Sequence, residues 1–213
     1  MRATTVCLLA LALTFCGSPA AVAKKPKKPS ACQKLSKRYT DLATSRKLVT
    51  VVRGNDETGR IGACVLPRGK VRTLAEWDDP LLRDWASVVD TAGTWVLVDE
   101  GHSDQYGGVS RLLTRIEVRG NTRQPLSGYA CQLYDQLPHC PDGTNYGKTG
   151  IAPSGAGAVE RTNYASGVTT LLAFNTAGRF TPLADGAVQA LRVTSTQIHW
   201  RQGGIGHTVA LPD

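Results

Sequence analysis

The chain has 213 residues, of which 41% are hydrophobic and 6% aromatic, and a formal net charge of +8. That length suits one domain, or two very small ones, and buries enough surface to fold without crosslinks. The charge sits in one place. Residues 24–47 carry nine Lys and Arg against one acid, whereas residues 48–213 carry fifteen against sixteen. A nucleic-acid-binding domain needs its cations clustered on a folded face, so a near-neutral body with a basic tail argues against that class.

Residues 1–23 read as a secretory signal peptide. Arg2 opens it, an apolar run covers residues 6–15, and Ala21-Val22-Ala23 provides a small-residue cleavage site. The run is too short for a bilayer, which takes ~20 apolar residues. The expected location is therefore secreted or extracytoplasmic. Leu13-Thr14-Phe15-Cys16 offers a weaker alternative, a lipoprotein anchored at Cys16, but Phe15 is larger than that motif's usual residue.

Residues 24–47 form a basic Pro/Lys-rich linker and a short helix. Lys24, Lys25, Lys27 and Lys28, interleaved with Pro26 and Pro29, favour an extended spacer that can contact an anionic surface weakly. Ser30 is placed to cap a helix with Leu35, Tyr39 and Leu42 on one face.

Residues 48–213 read as a β-repeat domain. Short apolar or β-branched runs are predicted as strands over 47–53, 61–66, 71–75, 85–89, 94–100, 109–118, 168–174, 179–184, 187–194, 197–201 and 206–211, with Gly, Asn, Asp and Pro between them. Two of these runs, Trp95-Val96-Leu97-Val98 and Leu171-Leu172-Ala173-Phe174, are apolar at consecutive positions. A strand solvated on one face alternates, so these are expected to be covered on both. Residues 135–159, rich in Gly and Pro, show no periodicity and are expected to form a long loop, mobile over 150–157.

Four cysteines outlast the signal: Cys32, Cys64, Cys131 and Cys140. In an oxidising compartment disulfides are the default. Of three possible pairings, Cys131 with Cys140 closes a local loop, and Cys32 with Cys64 ties the N-terminal arm to the first hairpin. No CxxC pair is present to suggest zinc.

Val89-Asp90-Thr91-Ala92-Gly93-Thr94-Trp95 is echoed by Phe174-Asn175-Thr176-Ala177-Gly178-Arg179-Phe180, and Val52-Arg53-Gly54-Asn55 by Val118-Arg119-Gly120-Asn121. These turn-flanked pieces, with Gln197-Ile198-His199-Trp200-Arg201 before Gly203-Gly204, resemble blades of exported bacterial β-propeller-like repeat proteins of the TolB type. The resemblance implies an all-β propeller-like or partial-propeller array of short antiparallel strands; a β-sandwich is the alternative. It carries over no functional residue. A body of roughly 165 residues makes three to four blades of ~40–45.

No nucleophile elbow, zincin motif, P-loop or dinucleotide fingerprint occurs in the sequence. Asn55-Asp56-Glu57 and Asp142-Gly143-Thr144-Asn145 read as turns rather than calcium loops. His207 is expected partly buried and His199 on an open face, since their neighbours alternate. The leading expectation is a non-enzymatic binding module of the cell envelope or extracellular space, needing no cofactor and no metal. Its expected contact surface is Tyr134, His139, Asp142, Asn145 and Tyr146, in and beside the 135–159 segment. The rival is a secreted hydrolase assembled around His102 with Asp99 or Glu100. An open sheet edge would further favour a homodimer or larger complex. Intact-mass analysis of the exported protein is expected to show no free thiol, and reduction is expected to add four hydrogens.

Overall fold

The structure, a computed structural model, describes residues 32, 43–45, 48–54, 59–66, 69–77, 84–103, 108–134, 137–139 and 143–213. The expected signal and Lys/Pro linker, and most of the helix expected after Ser30, lie outside the described residues. The described part is all-β and folds as four antiparallel meanders in chain order. The first sheet holds β1 (Ala43–Ser45), β2 (Leu48–Gly54), β3 (Gly59–Val65) and β4 (Val71–Trp77). The second holds β5 (Trp85–Ala92), β6 (Trp95–Ser103), β7 (Val109–Glu117), β8 (Thr122–Tyr134) and β9 (Leu137–His139). The third holds β10 (Thr144–Ile151), β11 (Gly157–Asn163), β12 (Thr169–Phe174) and β13 (Phe180–Asp185). The fourth holds β14 (Ala190–Val193), β15 (Gln197–Gln202) and β16 (Ile205–Ala210).

The sheets stack face to face, with three apolar seams between them. Leu48, Ile61, Leu74 and Trp77 of the first sheet meet Val96, Val98 and Ile116 of the second. The opposite face of the second sheet, with Leu97, Leu113 and Leu126, meets Ile151, Val159 and Phe174 of the third. Leu171 and Ala173, on the third sheet's other face, meet Ile198 and Trp200 of the fourth. The consecutive apolar runs follow from this. Val96 and Val98 enter one seam while Trp95 and Leu97 enter the next. Leu171 and Ala173 likewise diverge from Leu172 and Phe174. The first strands of successive sheets also touch in series: β1 with β5, β5 with β10, and β10 with β14.

Bulges adjust the strands to these seams. Between Leu113↔Ser127 and Thr114↔Pro125, β8 carries one extra residue, Leu126, which is driven into the core. Pro125 is tolerated at that irregularity because it owes no regular ladder bond there. Leu74 is the matching extra residue of β4, and it is fully buried. In β10, Gly147 and Lys148 bulge opposite the buried Glu160. Glu160 accepts from Lys148 N–H at 3.0 Å and, with its other oxygen, from Val188 N–H at 2.8 Å. One carboxylate thus satisfies the bulge and holds the lead-in to the fourth sheet.

The seam between the second and third sheets contains a buried cation. Arg115 is 1% exposed and has no carboxylate partner among the described residues. Its guanidinium donates to Gln124 Oε1, to Asn175 O at 2.8 Å, to Thr176 O at 2.7 Å and to Gly155 O. Its plane lies 5.3 Å from the Trp95 ring centre and 5.4 Å from that of Phe174. Burial pulls its pKa below the usual guanidinium range, but an Arg stays charged in a protein. The turn carbonyls substitute for water around it.

Three expectations are corrected. Residues 135–159 are not a structureless loop: β9, β10 and the start of β11 occupy it. Its glycines serve close packing, since a Cβ on Gly150 would meet Val193 and one on Gly157 would meet Phe174. The connection from Ala152 to Ala156 is a tight turn closed by Ala152 N–H to Ala156 O at 2.8 Å. The echoed hairpins do not mark equivalent places, because 92–95 joins the first two strands of the second sheet while 174–180 joins the last two of the third. His207 is exposed, although it does stack on Trp200 with ring centres 5.1 Å apart. His199 is on the opposite face, its Nδ1 3.0 Å from Thr208 Oγ1. Cys32, the one described helical position, is disulfide-bonded to Cys64 with Cα atoms 5.6 Å apart. Cys140 is outside the described residues, so its pairing is too.

Replacing Arg115 with Met leaves three carbonyls without their donor, Gly155 O in the buried seam and Asn175 O and Thr176 O at its partly buried edge, at up to about 1–3 kcal/mol each. The expected loss in stability is about 3 kcal/mol or more, read as a lowered urea midpoint with an unchanged slope.

Candidate functional site: a cleft at the strand ends

A cleft of about 980 Å³ opens where β4 ends, β5 begins, β6 ends, and β7 and β10 begin. Its central feature is Trp85. The residue is 43% exposed, and its indole lies directly against Gly101, its partner across the β5–β6 ladder. A Cβ on Gly101 would sit 2.2–2.4 Å from indole atoms, so only glycine permits the ring to lie there. The result is an open aromatic face on a rigid backbone support, presenting apolar area with one polar N–H edge.

Arg111, on the neighbouring strand β7, holds this region together. It makes a two-pronged ion pair with Asp99: Nε to Oδ1 at 3.0 Å and Nη2 to Oδ2 at 2.8 Å. Asp99 is 3% exposed, which makes the fork its replacement for hydration. The same guanidinium reaches into the third sheet, donating to Asn145 Oδ1 at 3.2 Å and to Tyr146 OH at 2.9 Å. It also lies between two rings, 4.3 Å from the centre of Tyr146 and 5.7 Å from that of Trp85. The hydrogen bond to Asp99 drives the Arg111 pKa above its usual range, while burial raises that of Tyr146. Both groups therefore keep their protons throughout the physiological range.

The other wall faces the first sheet. His102 Nδ1 is paired with Asp84 Oδ1, and the imidazole side chain is 41% exposed. Glu100, two positions earlier on the same face of β6, is pushed above its ordinary value of 4.5 by burial, with Arg123 opposing and Asp99 adding to the shift. On the third-sheet side, Arg161 Nη2 donates to Thr144 Oγ1 at 3.2 Å, and its plane lies 5.0 Å from the Phe180 ring centre. Its Nε is buried without a hydrogen-bond partner among the described residues, and burial lowers its pKa. Thr144 also bonds Ser127, with the two hydroxyl oxygens 3.0 Å apart.

Of the residues singled out in the sequence, Asn145 and Tyr146 converge, but on Arg111. Tyr134 and His139 are placed only by backbone pairing, with Tyr134 opposite Leu137 and His139 opposite Gln132. Asp142 lies outside the described residues. His102 does not engage Asp99, which is turned to the opposite face of β6 and belongs to Arg111. Its carboxylate is Asp84, which sequence reading missed along with Trp85, Arg111 and Arg161. Among the described residues no three His, Cys, Asp or Glu side chains gather as a metal site.

No known family model matches the chain, and no curated protein matches it.

The raised pKa of Glu100 has a consequence with a definite sign. The folded state holds that proton more tightly than the unfolded chain. The stability this provides is complete below the unfolded pKa and is lost as pH rises through the folded value. Glu100→Gln is therefore expected to raise the melting temperature at pH 8 relative to the parent and to leave it unchanged at pH 4. Differential scanning fluorimetry at the two pH values checks this.

Proposed function

We propose that this chain is an exported, non-enzymatic β-repeat module that binds a component of the cell envelope or extracellular space in the cleft beside Trp85. The chemistry best suited to it is a glycan segment, a ligand with ring faces and many hydroxyls. The observation carrying this reading is the exposed indole seated on Gly101 and bordered by Arg111, whose charge is already matched by Asp99. Arg111 is neutralised by Asp99 and held by Asn145 and Tyr146, so the wall is rigid before a ligand arrives. A pre-formed wall spares the ligand the cost of ordering side chains. Apolar surface with a few fixed polar groups is the usual composition of a small-molecule site.

In this reading the four meanders are blades of a partial propeller. The serial contacts of β1, β5, β10 and β14 support that arrangement. The basic linker at Lys24, Lys25, Lys27 and Lys28 adds weak attraction to an anionic envelope surface.

One observation favours a second reading, a secreted hydrolase. His102 paired with Asp84 in an open cleft has the base-and-orienter geometry of hydrolytic sites. The described groups near it include Ser110, its cross-strand neighbour in the β6–β7 ladder.

Calorimetric titration with soluble oligomers of glucose and of N-acetylglucosamine tests the first reading. Trp85→Ala is expected to weaken binding by about thirtyfold or more, the effect of losing a central aromatic contact. His102→Ala is expected to leave it within a fewfold. Turnover of aryl esters or aryl glycosides that disappears with His102→Ala would establish the second reading instead.

A further inference from the structure

We propose that a second pocket, at the opposite ends of the same strands, is an oxyanion site that takes a phosphate group. It has a volume of about 400 Å³ and lies between the β3–β4 turn and the β7–β8 turn. The ladder places it away from the cleft. β4 starts beside this pocket at Val71 and ends at the cleft with Trp77, and β7 runs from the cleft toward it. Nothing in the glycan reading bears on it.

Its lining has one sign of charge. Lys70, Arg72 and Arg119 border it, together with the apolar Val65 and Val118, and no acid among the described residues does. None of the three cations forms an ion pair among the described residues. The acid of the neighbouring hairpin, Glu117, is turned to the N–H of Gly120. The body as a whole is near neutral, so three unmatched cations around one concavity is a local concentration of charge. Such a concavity, with low-dielectric walls, focuses a positive potential on whatever enters it.

The rim is also held in place. Gly69 N–H donates to Val65 O at 2.7 Å, and a Cβ at Gly69 would lie 2.3 Å from that same oxygen, so the turn requires glycine. The disulfide of Cys64 with Cys32 is adjacent, Cys64 Sγ being 3.3 Å from Gly69 O. On the other side Arg72 Nη2 reaches Arg119 O at 3.4 Å, which links the two turns. Asn121, with φ of 59°, closes the second turn in the left-handed region that Asn tolerates. Two guanidinium forks and an ammonium on a fixed frame match the several oxygens of a phosphate better than the two of a carboxylate. Val65 and Val118 leave room beside it for the carbon portion of a phosphate ester.

The test uses the full exported chain. Inorganic phosphate and glycerol 3-phosphate are titrated at constant ionic strength and followed by phosphorus NMR, with sulfate-free chloride as the reference salt. Saturable binding is expected. The double variant Arg72→Gln/Arg119→Gln is expected to weaken it at least about tenfold, the scale of one lost charge-assisted hydrogen bond. Lys70→Gln, at an exposed position that cannot unsettle the core, is expected to weaken it severalfold. Trp85→Ala and a tail variant with Lys24, Lys25, Lys27 and Lys28 changed to Gln are expected to keep it. Vesicles of phosphatidylglycerol then separate the sources. Vesicle binding that inorganic phosphate displaces assigns the site to a lipid headgroup, and phosphate binding without vesicle binding assigns it to a soluble phosphate. Absence of saturation, or parental affinity in both the Arg72/Arg119 and the Lys70 variants, overturns the proposal.

Discussion

The two middle sheets are buried on both faces, and the rest of the architecture is arranged around that constraint. A strand with an apolar residue at every position has no face to give to water. Val96 and Val98 must be covered on one side of β6 and Leu97 on the other. The third sheet repeats the demand through Leu171, Leu172, Ala173 and Phe174. Four sheets stacked in series with three seams meet it. Where the central seam has a polar requirement, Arg115 meets it by collecting the carbonyls of two turns from the next sheet. It joins the layers directionally, which apolar contact alone does not do, since hydrophobic burial has no preferred orientation.

The cleft and the smaller pocket manage charge in opposite ways. In the cleft both signs of charge are present and two pairs stand beside the indole and the imidazole: Arg111 with Asp99 and His102 with Asp84. Such walls offer shape, ring faces and hydrogen bonds rather than net attraction. In the smaller pocket Lys70, Arg72 and Arg119 face no described acid. Opposite ends of one stack thus present a surface of mixed charge and a cationic one.

Much of the fold could be read from the residues. The consecutive apolar runs at 95–98 and 171–174 reported two-sided burial, and alternation at 198–200 placed His199 on the open face. The segment 135–159 misled because its signals were ambiguous. Gly147, Gly150 and Gly157 look like flexible joints when listed in a row. In the fold each clears space for a neighbour: Glu160, Val193 and Phe174. Nothing in a linear string distinguishes a glycine that frees the backbone from one that admits another side chain. The site was less legible for the same reason. Trp85 becomes a platform only because Gly101 is opposite it, and Arg111 becomes a hub only because Asp99 lies on the neighbouring strand and Asn145 and Tyr146 of the third sheet come within its reach. Both are products of pairing between strands, and the register of pairing is set by bulges such as those at Leu74, Leu126 and Gly147–Lys148.

The order of the sheets along the stack is the order of the chain. Each meander closes with its own consecutive strands, and each seam joins a sheet to the one made just before it. No described strand waits for a partner from the far end of the polypeptide. As the chain emerges from its N-terminal side, one layer can therefore be completed and serve as the template against which the next condenses. The apolar faces of the second and third sheets are then each exposed only for the time needed to make one further meander. Local pairing of this kind keeps the entropy of loop closure small and shortens the interval in which bare strand edges can find the wrong neighbour.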